Sequence, residues 1–422
     1  MSNPVEQAGP AGYVALVRRN ANFRSLWSGQ IVSLLGDWFN LIATATLLSE
    51  LTDSAVALGG LFAVRMLAPF VVSPVAGVFA DRYNRKRLLI ATDLLRAAVV
   101  LGFLLVRSRD QVWLLYALTA VQLGVAGFFF PARNALLPVI VSPGELGAAN
   151  ALSSATWSVM LALGTALGGL VTGAMGAYPA FVIDAGTFVF SAVLLSGIRG
   201  SGRIETEAAP ARGVLEGFRQ YGAGLVYLGR RRGILSLVLL KPLYTVTVSG
   251  AIQVAIVTLG ERVYPIGEGG GTAMGLGYAC MGVGTGLGPI LMRLLTRDRP
   301  ARVRKAILAG YGLVILGVGT AATLHSFPVV LLGVLLNGMG GGAMWVFSTQ
   351  LLMQEVPDHT RGRVFASEFA LFTLCTAIGA WSAGWAIDAP SLGVGGMLRV
   401  VSVLAFVPAL FWAVCLWRGR TR

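Results

Sequence analysis

Gly77-Val78-Phe79-Ala80-Asp81-Arg82-Tyr83-Asn84-Arg85-Lys86-Arg87 closes an apolar run and packs one acid and four bases into seven positions. A bilayer interior excludes such a cluster, since each central charge costs about 2.5 kcal/mol or more there. The stretch therefore reads as a short surface loop between two hydrophobic segments. Working outward from it, a helix needs ~20 apolar residues to cross the hydrocarbon. By that measure the chain holds twelve spans, near 25–49, 55–79, 88–106, 112–138, 147–174, 178–198, 233–259, 270–292, 304–324, 327–353, 362–387 and 391–417.

Composition agrees. The 422 residues are 55% hydrophobic and 12% charged, against about 25% charged in soluble domains, and the mean hydropathy is +0.74. The chain reads as an integral membrane protein. Most connections are short, so neighbouring spans run antiparallel. The exception is 199–232, a polar stretch with Pro210 and seven arginines, which divides the spans six and six. The expected organisation is an N-terminal segment 1–24, a six-helix bundle 25–198, the central loop 199–232, a second bundle 233–417 and a tail 418–422. Residues 1–22 are polar and lack an apolar signal core, so the first span is expected to direct insertion.

The net charge of +14 invites a nucleic-acid reading, and its distribution removes it. With the N-terminus inside, only Arg107, Arg109 and Arg262 of the 33 basic residues fall in loops on the opposite side. Arg65, Arg96, Lys241 and Arg399 lie within spans, and all the others, with Arg133 at a helix end, gather on the side of the termini. That bias is the positive-inside pattern, and it predicts a multi-pass membrane protein with both termini cytoplasmic. No nucleic-acid partner is expected.

The two halves also repeat. A shift of 211 residues puts Gly77 on Gly288 and Arg82 on Arg293, with Met292 standing where Asp81 stands. A shift of 215 puts Gln122 on Asn337, Gly147 on Gly362, Gly164 on Gly379 and Gly169 on Gly384. Parallel six-helix repeats about an axis along the membrane normal would produce such matches.

Chemistry is concentrated in few places. Gln30, Ser33, Asp37, Asn40 and Thr44 are spaced to share one face of span one. Lipid offers no hydrogen bonds, so this stripe needs water or protein partners. Asp37 lies roughly 20 Å along the helix, near the midplane, and an ionisable residue there is a candidate for proton coupling. A structural pairing with Arg65, at similar depth in span two, is the competing reading. The 211-residue shift gives Lys241, Tyr244, Val248, Ala251 and Ala255 as counterparts in span seven, so coupling is expected in the N-terminal half. Asp93 and Arg96 sit at i, i+3 and are expected to pair on their own helix. Asp184, Glu368, Asp388 and Arg399 lie nearer span ends, where snorkelling or pairing between the halves is expected. Glycines at small-xxx-small spacing (164/168, 169/173, 284/288, 338/342) suit close helix packing.

Several classes are excluded. Cys280, Cys375 and Cys415 lie in apolar spans, His325 and His359 are isolated, and no metal site or catalytic residue set appears. The three lysines precede Arg87, Pro242 and Ala306, so there is no phosphate-binding loop. No cofactor is expected, and transport would be passive or driven by an ion gradient.

The loop 77–87 resembles the signature between helices two and three of the major facilitator superfamily, with Asn84 replacing its second glycine. Asn tolerates the left-handed backbone, so that turn is expected to survive. Gly164-Thr165-Ala166-Leu167-Gly168-Gly169 is similar to the family's antiporter motif without its proline. Gly29-Gln30, Gly36-Asp37 and Val356–Val364 resemble the macrolide-efflux and enterobactin-exporter branch of drug/proton antiporters. The resemblance covers about residues 20–417. It implies an all-α membrane fold of twelve helices in two pseudo-symmetric six-helix bundles. It further implies a central cavity, here with Gln30, Ser33, Asn40, Arg65, Gln122, Tyr244, Asn337 and Trp345 as candidate contacts. A cytoplasmic gate would comprise Gly77, Asp81, Arg82, Arg85 and Lys86, with Asp81 facing the start of span eleven near Thr360–Gly362. The mid-helix-four arginine of many proton antiporters is missing; span four carries only Arg133, near its cytoplasmic end. The expected function is proton-coupled export of small amphipathic organic compounds by a monomer, partnered by protons and membrane lipid. A lipid or lysolipid flippase and a non-transporting receptor are the alternatives.

Overall fold

A computed structural model describes residues 12–142, 144–199, 228–229, 231–296 and 299–420; for residues 74, 77, 78, 80–82, 154, 232, 358, 359, 361, 419 and 420 only the backbone is described. The expected gate residues Gly77, Asp81 and Arg82 thus lie outside the described side chains, as most of the central loop lies outside the described residues.

Short polar caps start the first helices. Asn20 accepts from the Phe23 amide at 2.9 Å and opens α1 (Ala21–Thr52). Ser54 accepts from the Ala57 amide at 3.2 Å and opens α2 (Ala55–Arg82). Asn84 does the same for α3 (Arg85–Gly102), accepting from the Arg87 amide at 3.1 Å. This corrects the expected left-handed turn: Asn84 has φ −61° and ψ 114°, extended backbone that suits an N-cap. The series continues with α4 (Val112–Ile140), α5 (Leu146–Met175) and α6 (Ala177–Ser196). The second half comprises α7 (Gly233–Val263), α8 (Gly271–Thr296), α9 (Pro300–Ala322), α10 (Phe327–Glu355), α11 (Asp358–Asp388) and α12 (Gly393–Arg418). All twelve are long and apolar enough to cross a bilayer, and the described residues contain no strand. The span α7 is irregular: two π-helical turns, Thr245–Ser249 and Leu259–Val263, interrupt the α-helix and carry it beyond the expected end. An even number of crossings puts both termini on one face, termed the terminal face; the opposite one is the distal face.

Within the first half α1 packs on α5 and α6, α2 on α4, and α3 on α4 and α6. In the second, α7 packs on α11, α8 on α10, and α9 on α10 and α12. Two helix pairs make the main junctions between the halves, α5 with α8 and α2 with α11.

Glycine makes both junctions close. On α5, Gly164 and Gly168 face Trp38 and Phe39 of α1, whereas Gly169 and Gly173 face Gly275 and Thr272 of α8. The resembling motif therefore serves two helices from two faces. A Cβ added at Gly169 would stand 2.5 Å from the Gly275 Cα. The repeat positions behave alike: Gly379 packs on α7 at Thr245 and Val246, and Gly384 on α2 at Ala55. Gly164 and Gly169 are thus matched in space by Gly379 and Gly384, each pair holding one helix of its own half and one of the other. The α5–α8 contact loosens toward the terminal face, where a Cβ on Gly286 would meet only Ser158 Cβ, at 4.0 Å. Gly169→Val should lower stability by about 1–3 kcal/mol through overpacking. Gly186→Val, with nothing within 4 Å of the added Cβ, should leave it near wild type. Thermal unfolding in detergent reads the difference, and equal midpoints would contradict the packing described.

Candidate functional site

The polar stripe of α1 faces inward and is met by other helices. Arg133 of α4 donates from Nε to Gln30 Oε1 at 3.0 Å. Arg96 of α3 donates from Nη1 to Ser33 Oγ at 3.3 Å and from Nη2 to Asp37 Oδ1, the tightest ion pair of the half. Thr44 donates to Asn40 Oδ1 at 3.2 Å. Arg96 is 2% exposed and its guanidinium lies 4.0 Å from the centre of the Phe188 ring.

This changes the expected pairings. Arg96, rather than Arg65, holds Asp37, because α3 brings its guanidinium directly onto the α1 stripe. The i, i+3 pair with Asp93 exists at 3.7 Å, looser than the bond to Asp37. Asp93 is instead held by the Ser191 hydroxyl of α6, which donates at 2.6 Å. Among the described residues Arg65 keeps a buried Nη1 without a hydrogen-bond partner, within electrostatic reach of Asp37, Asp184 and Arg96. Asp37 is the accessible member, with a quarter of its side chain exposed while Asp93 has none. An ion pair reachable from solvent can open and reform; one sealed on all sides cannot do so without moving helices.

The second half carries a smaller site. Lys241 of α7 lies 3.0 Å from Glu368 of α11, donates to Thr349 Oγ1 of α10 at 2.8 Å, and stands 4.6 Å from the Trp345 ring centre. Both charged side chains are 4% exposed and both belong to the second half, so Glu368 neither snorkels nor pairs between the halves, the two expectations for it. Tyr244 donates to Asn337 Oδ1 at 3.4 Å, placing two of the expected cavity residues against each other. Gln122, Asn337 and Asn40 are buried, whereas Trp345 is 37% exposed and packs edge-on against Phe372. Sequence reasoning missed Arg96, Asp93, Asp184 and Glu368 as members of these sites. The signal was there, since each is a charge inside a span, but spacing alone pairs residues on one helix and says nothing of the neighbour. The residues from His, Cys, Asp and Glu form no metal-binding group among those described.

A model of the Major Facilitator Superfamily matches residues 26–260, more than half of the chain. The chain belongs to that superfamily. It is a transporter of small molecules rather than an enzyme. An uncharacterised MFS-type transporter of Bacillus subtilis, YfiS, is 26% identical over 406 residues, 94% of this chain and 93% of YfiS. The putative bacilysin exporter BacE of Bacillus amyloliquefaciens is 24% identical over 85% of this chain and 87% of its own. Macrolide efflux protein A of Streptococcus pyogenes is 27% identical over 53% of this chain and 55% of its own. Among solved structures, a single-site mutant of the nucleoside transporter NupG superposes with a TM-score of 0.74 at 9% identity, covering 93% of this chain and 99% of that one. A bacterial homologue of the iron transporter ferroportin, solved in an inward-facing state, gives 0.70 at 16% identity over 93% and 97%.

In this major facilitator fold the halves are fastened at the distal face. Asp388, the last residue of α11, sits on the start of α2: its Oδ2 accepts from Ser54 Oγ and the Val56 amide, both at 2.9 Å, and its Oδ1 from the Ala55 amide at 3.0 Å. A carboxylate on free helix amides complements the helix dipole. Arg262 at the end of α7 lies 3.5 Å from the same carboxylate and donates at 2.8 Å to the Asp53 carbonyl. Ser49 of α1 donates to Glu261 at 2.6 Å. The connection before α8 adds to the seal, since Gly267, with φ +78°, lies directly against Gly173 of α5 where no side chain fits.

At the terminal face Lys86 and Arg85 of the basic loop both bond to carbonyls of their own half. Lys86 donates to the Ser196 and Ile198 carbonyls at 2.7 and 2.6 Å, closing the end of α6. Arg85 donates to the Ala135 carbonyl of α4 at 3.1 Å.

Proposed function

We propose that the protein is a proton-coupled exporter of small amphipathic organic compounds, working as a monomer by alternating access in a bacterial inner membrane. The halves, 25–198 and 233–417, rock about the α5–α8 and α2–α11 contacts, and both termini are cytoplasmic because the basic residues crowd the terminal face. The observation that carries this reading is the bond between Arg96 and Asp37, a partly exposed carboxylate near mid-membrane held by a buried cation. Protonation of Asp37 would release Arg96, and binding of a compound would compete for the same groups. Exclusive occupancy of one site by proton or compound is what couples their opposite movements. The exporters among the relatives, BacE and macrolide efflux protein A, support efflux of organic compounds as the direction. The exposed face of Trp345 beside Lys241 suits an amphipathic guest in the second half.

The gate in this reading is a pair of reciprocal latches on α2 and α11. Asp388 of α11 caps α2 at the distal face. Asp81, at the other end of α2, would cap α11 near Thr360–Gly362 when the terminal face closes, with Gly77, Arg82, Arg85 and Lys86 shaping the loop. One latch must break for the other to form.

The test uses proteoliposomes and a panel of fluorescent amphipathic dyes and macrolides. At least one member should be driven by an imposed pH gradient, and Asp37→Asn should abolish that response. Gradient-driven movement equal to wild type in Asp37→Asn would remove Asp37 as the coupling residue.

A further inference from the structure

Asp184 of α6 is fully buried, and neither carboxyl oxygen has a hydrogen-bond partner among the described residues. It stands against α1 at Gly36, where the missing side chain leaves room for Oδ1 and for the Thr187 hydroxyl. Thr187 gives its hydrogen to the Asp184 backbone carbonyl at 2.7 Å, not to the carboxyl. Asn40, whose amide faces the carboxyl, has an Nδ2 without a partner in hydrogen-bond geometry. The charges acting on it are Asp37 of α1, Arg65 of α2 and Arg96 of α3, and α3 also carries Asp93, which is coupled to Asp37 and Arg96. Among the remaining neighbours of α6, α5 and the turn Phe103–Leu105 carry no charged residue.

Charge counting narrows the state of this cluster. Three aspartates share two arginines, so the group is neutral only when one carboxyl carries a proton. Asp37 is bonded to Arg96, and Asp93 has Arg96 at 3.7 Å and the Ser191 hydroxyl. Among the described residues Asp184 has no ion pair, and the Asn40 amide turned toward it falls outside hydrogen-bond geometry. A bare carboxylate so placed costs far more than a neutral acid.

We propose that Asp184 is a proton-binding site of this transporter, holding the proton while Asp37 is ion-paired with Arg96. The inference deepens the proton-coupled reading and depends on it only for the use to which the proton is put. It separates the roles: Asp37 exchanges with water, and Asp184 stores the proton behind it, against α1, so that movement of α1 past α6 is sensed by the bound proton.

Infrared spectroscopy of the purified full-length protein at neutral pH tests this, since a protonated carboxyl has a carbonyl band absent from a carboxylate. The band should be present in the wild type and vanish in Asp184→Asn. Should Asp184→Asn fail to fold, wild-type protein made with isotopically labelled aspartate must show the same band shifted, and labelled glutamate must not shift it. A band unchanged in Asp184→Asn, or one that responds only to labelled glutamate, overturns the proposal. Asp184→Asn imitates the loaded form, so gradient-free exchange of a transported dye should persist while protons moved per dye fall at least tenfold. If the band belongs to Asp184 and no panel compound moves protons, the export reading fails and the proton site stands. Proton-coupled dye movement without the band has the reverse meaning.

Discussion

Asp388→Ala should open the distal face. The substitution removes three hydrogen bonds to the start of α2 and the neighbouring Arg262 contact, all of which cross between halves. An anion at a helix N-terminus in partly buried geometry contributes up to about 2 kcal/mol, and about 2 kcal/mol is roughly a thirtyfold change in an equilibrium. Spin labels at Ser108 and Thr323, both exposed on distal connections of opposite halves, report the separation in a cysteine-free background. A longer-distance population should grow at the expense of the short one. Asp110→Ala, an exposed acid on the same face, should change nothing. Identical distributions for Asp388→Ala and wild type would show that the distal latch does not hold the halves together.

The second large effect is expected at Arg96. Arg96→Met keeps the apolar volume over Phe188 but leaves Asp37 and Asp93 without their cation. Removing one partner of a buried ion pair costs about 3–5 kcal/mol, because the other charge stays buried and unpaired. The loss should appear as a large drop in the thermal midpoint. Adding Asp37→Asn to Arg96→Met should recover part of it, because the orphaned charge is then gone. A double-mutant cycle measures that coupling directly. An Arg96→Met protein that unfolds at the wild-type temperature, or a cycle with no coupling, would contradict the network drawn from α1 and α3.

The fold was largely legible in the sequence for a physical reason. Lipid leaves a spanning segment no choice but helix, so length and apolarity alone delimit it. Even the repeat survived inspection, since Gly164 and Gly169 pack as Gly379 and Gly384 do. The site was only partly legible. The spacing of Gln30, Ser33, Asp37 and Asn40 marked the right face of α1, because a helical period is a local property. The partners on that face are not local. Arg96 looked satisfied by Asp93 three residues away, yet its shorter bond reaches a helix some sixty positions earlier. Arg133 looked remote from the chemistry at the end of α4, and its side chain spans the gap to Gln30. Asp184 and Glu368 were placed near span ends by counting residues, which ignores how deep neighbouring helices bury them. Asn84 was read for the wrong virtue; its acceptor oxygen, not its tolerance of left-handed backbone, is what α3 uses.

The central claim is that compound and proton move in opposite directions through groups centred on Asp37. The most direct measurement follows the protons. Proteoliposomes containing the protein and an internal pH-sensitive dye are given a transported macrolide or amphipathic dye from outside, without any imposed gradient. The account predicts alkalinisation of the interior as entering compound drives protons out, and no such change with Asp37→Asn. Entry of the compound with the internal pH unmoved in the wild type would contradict it.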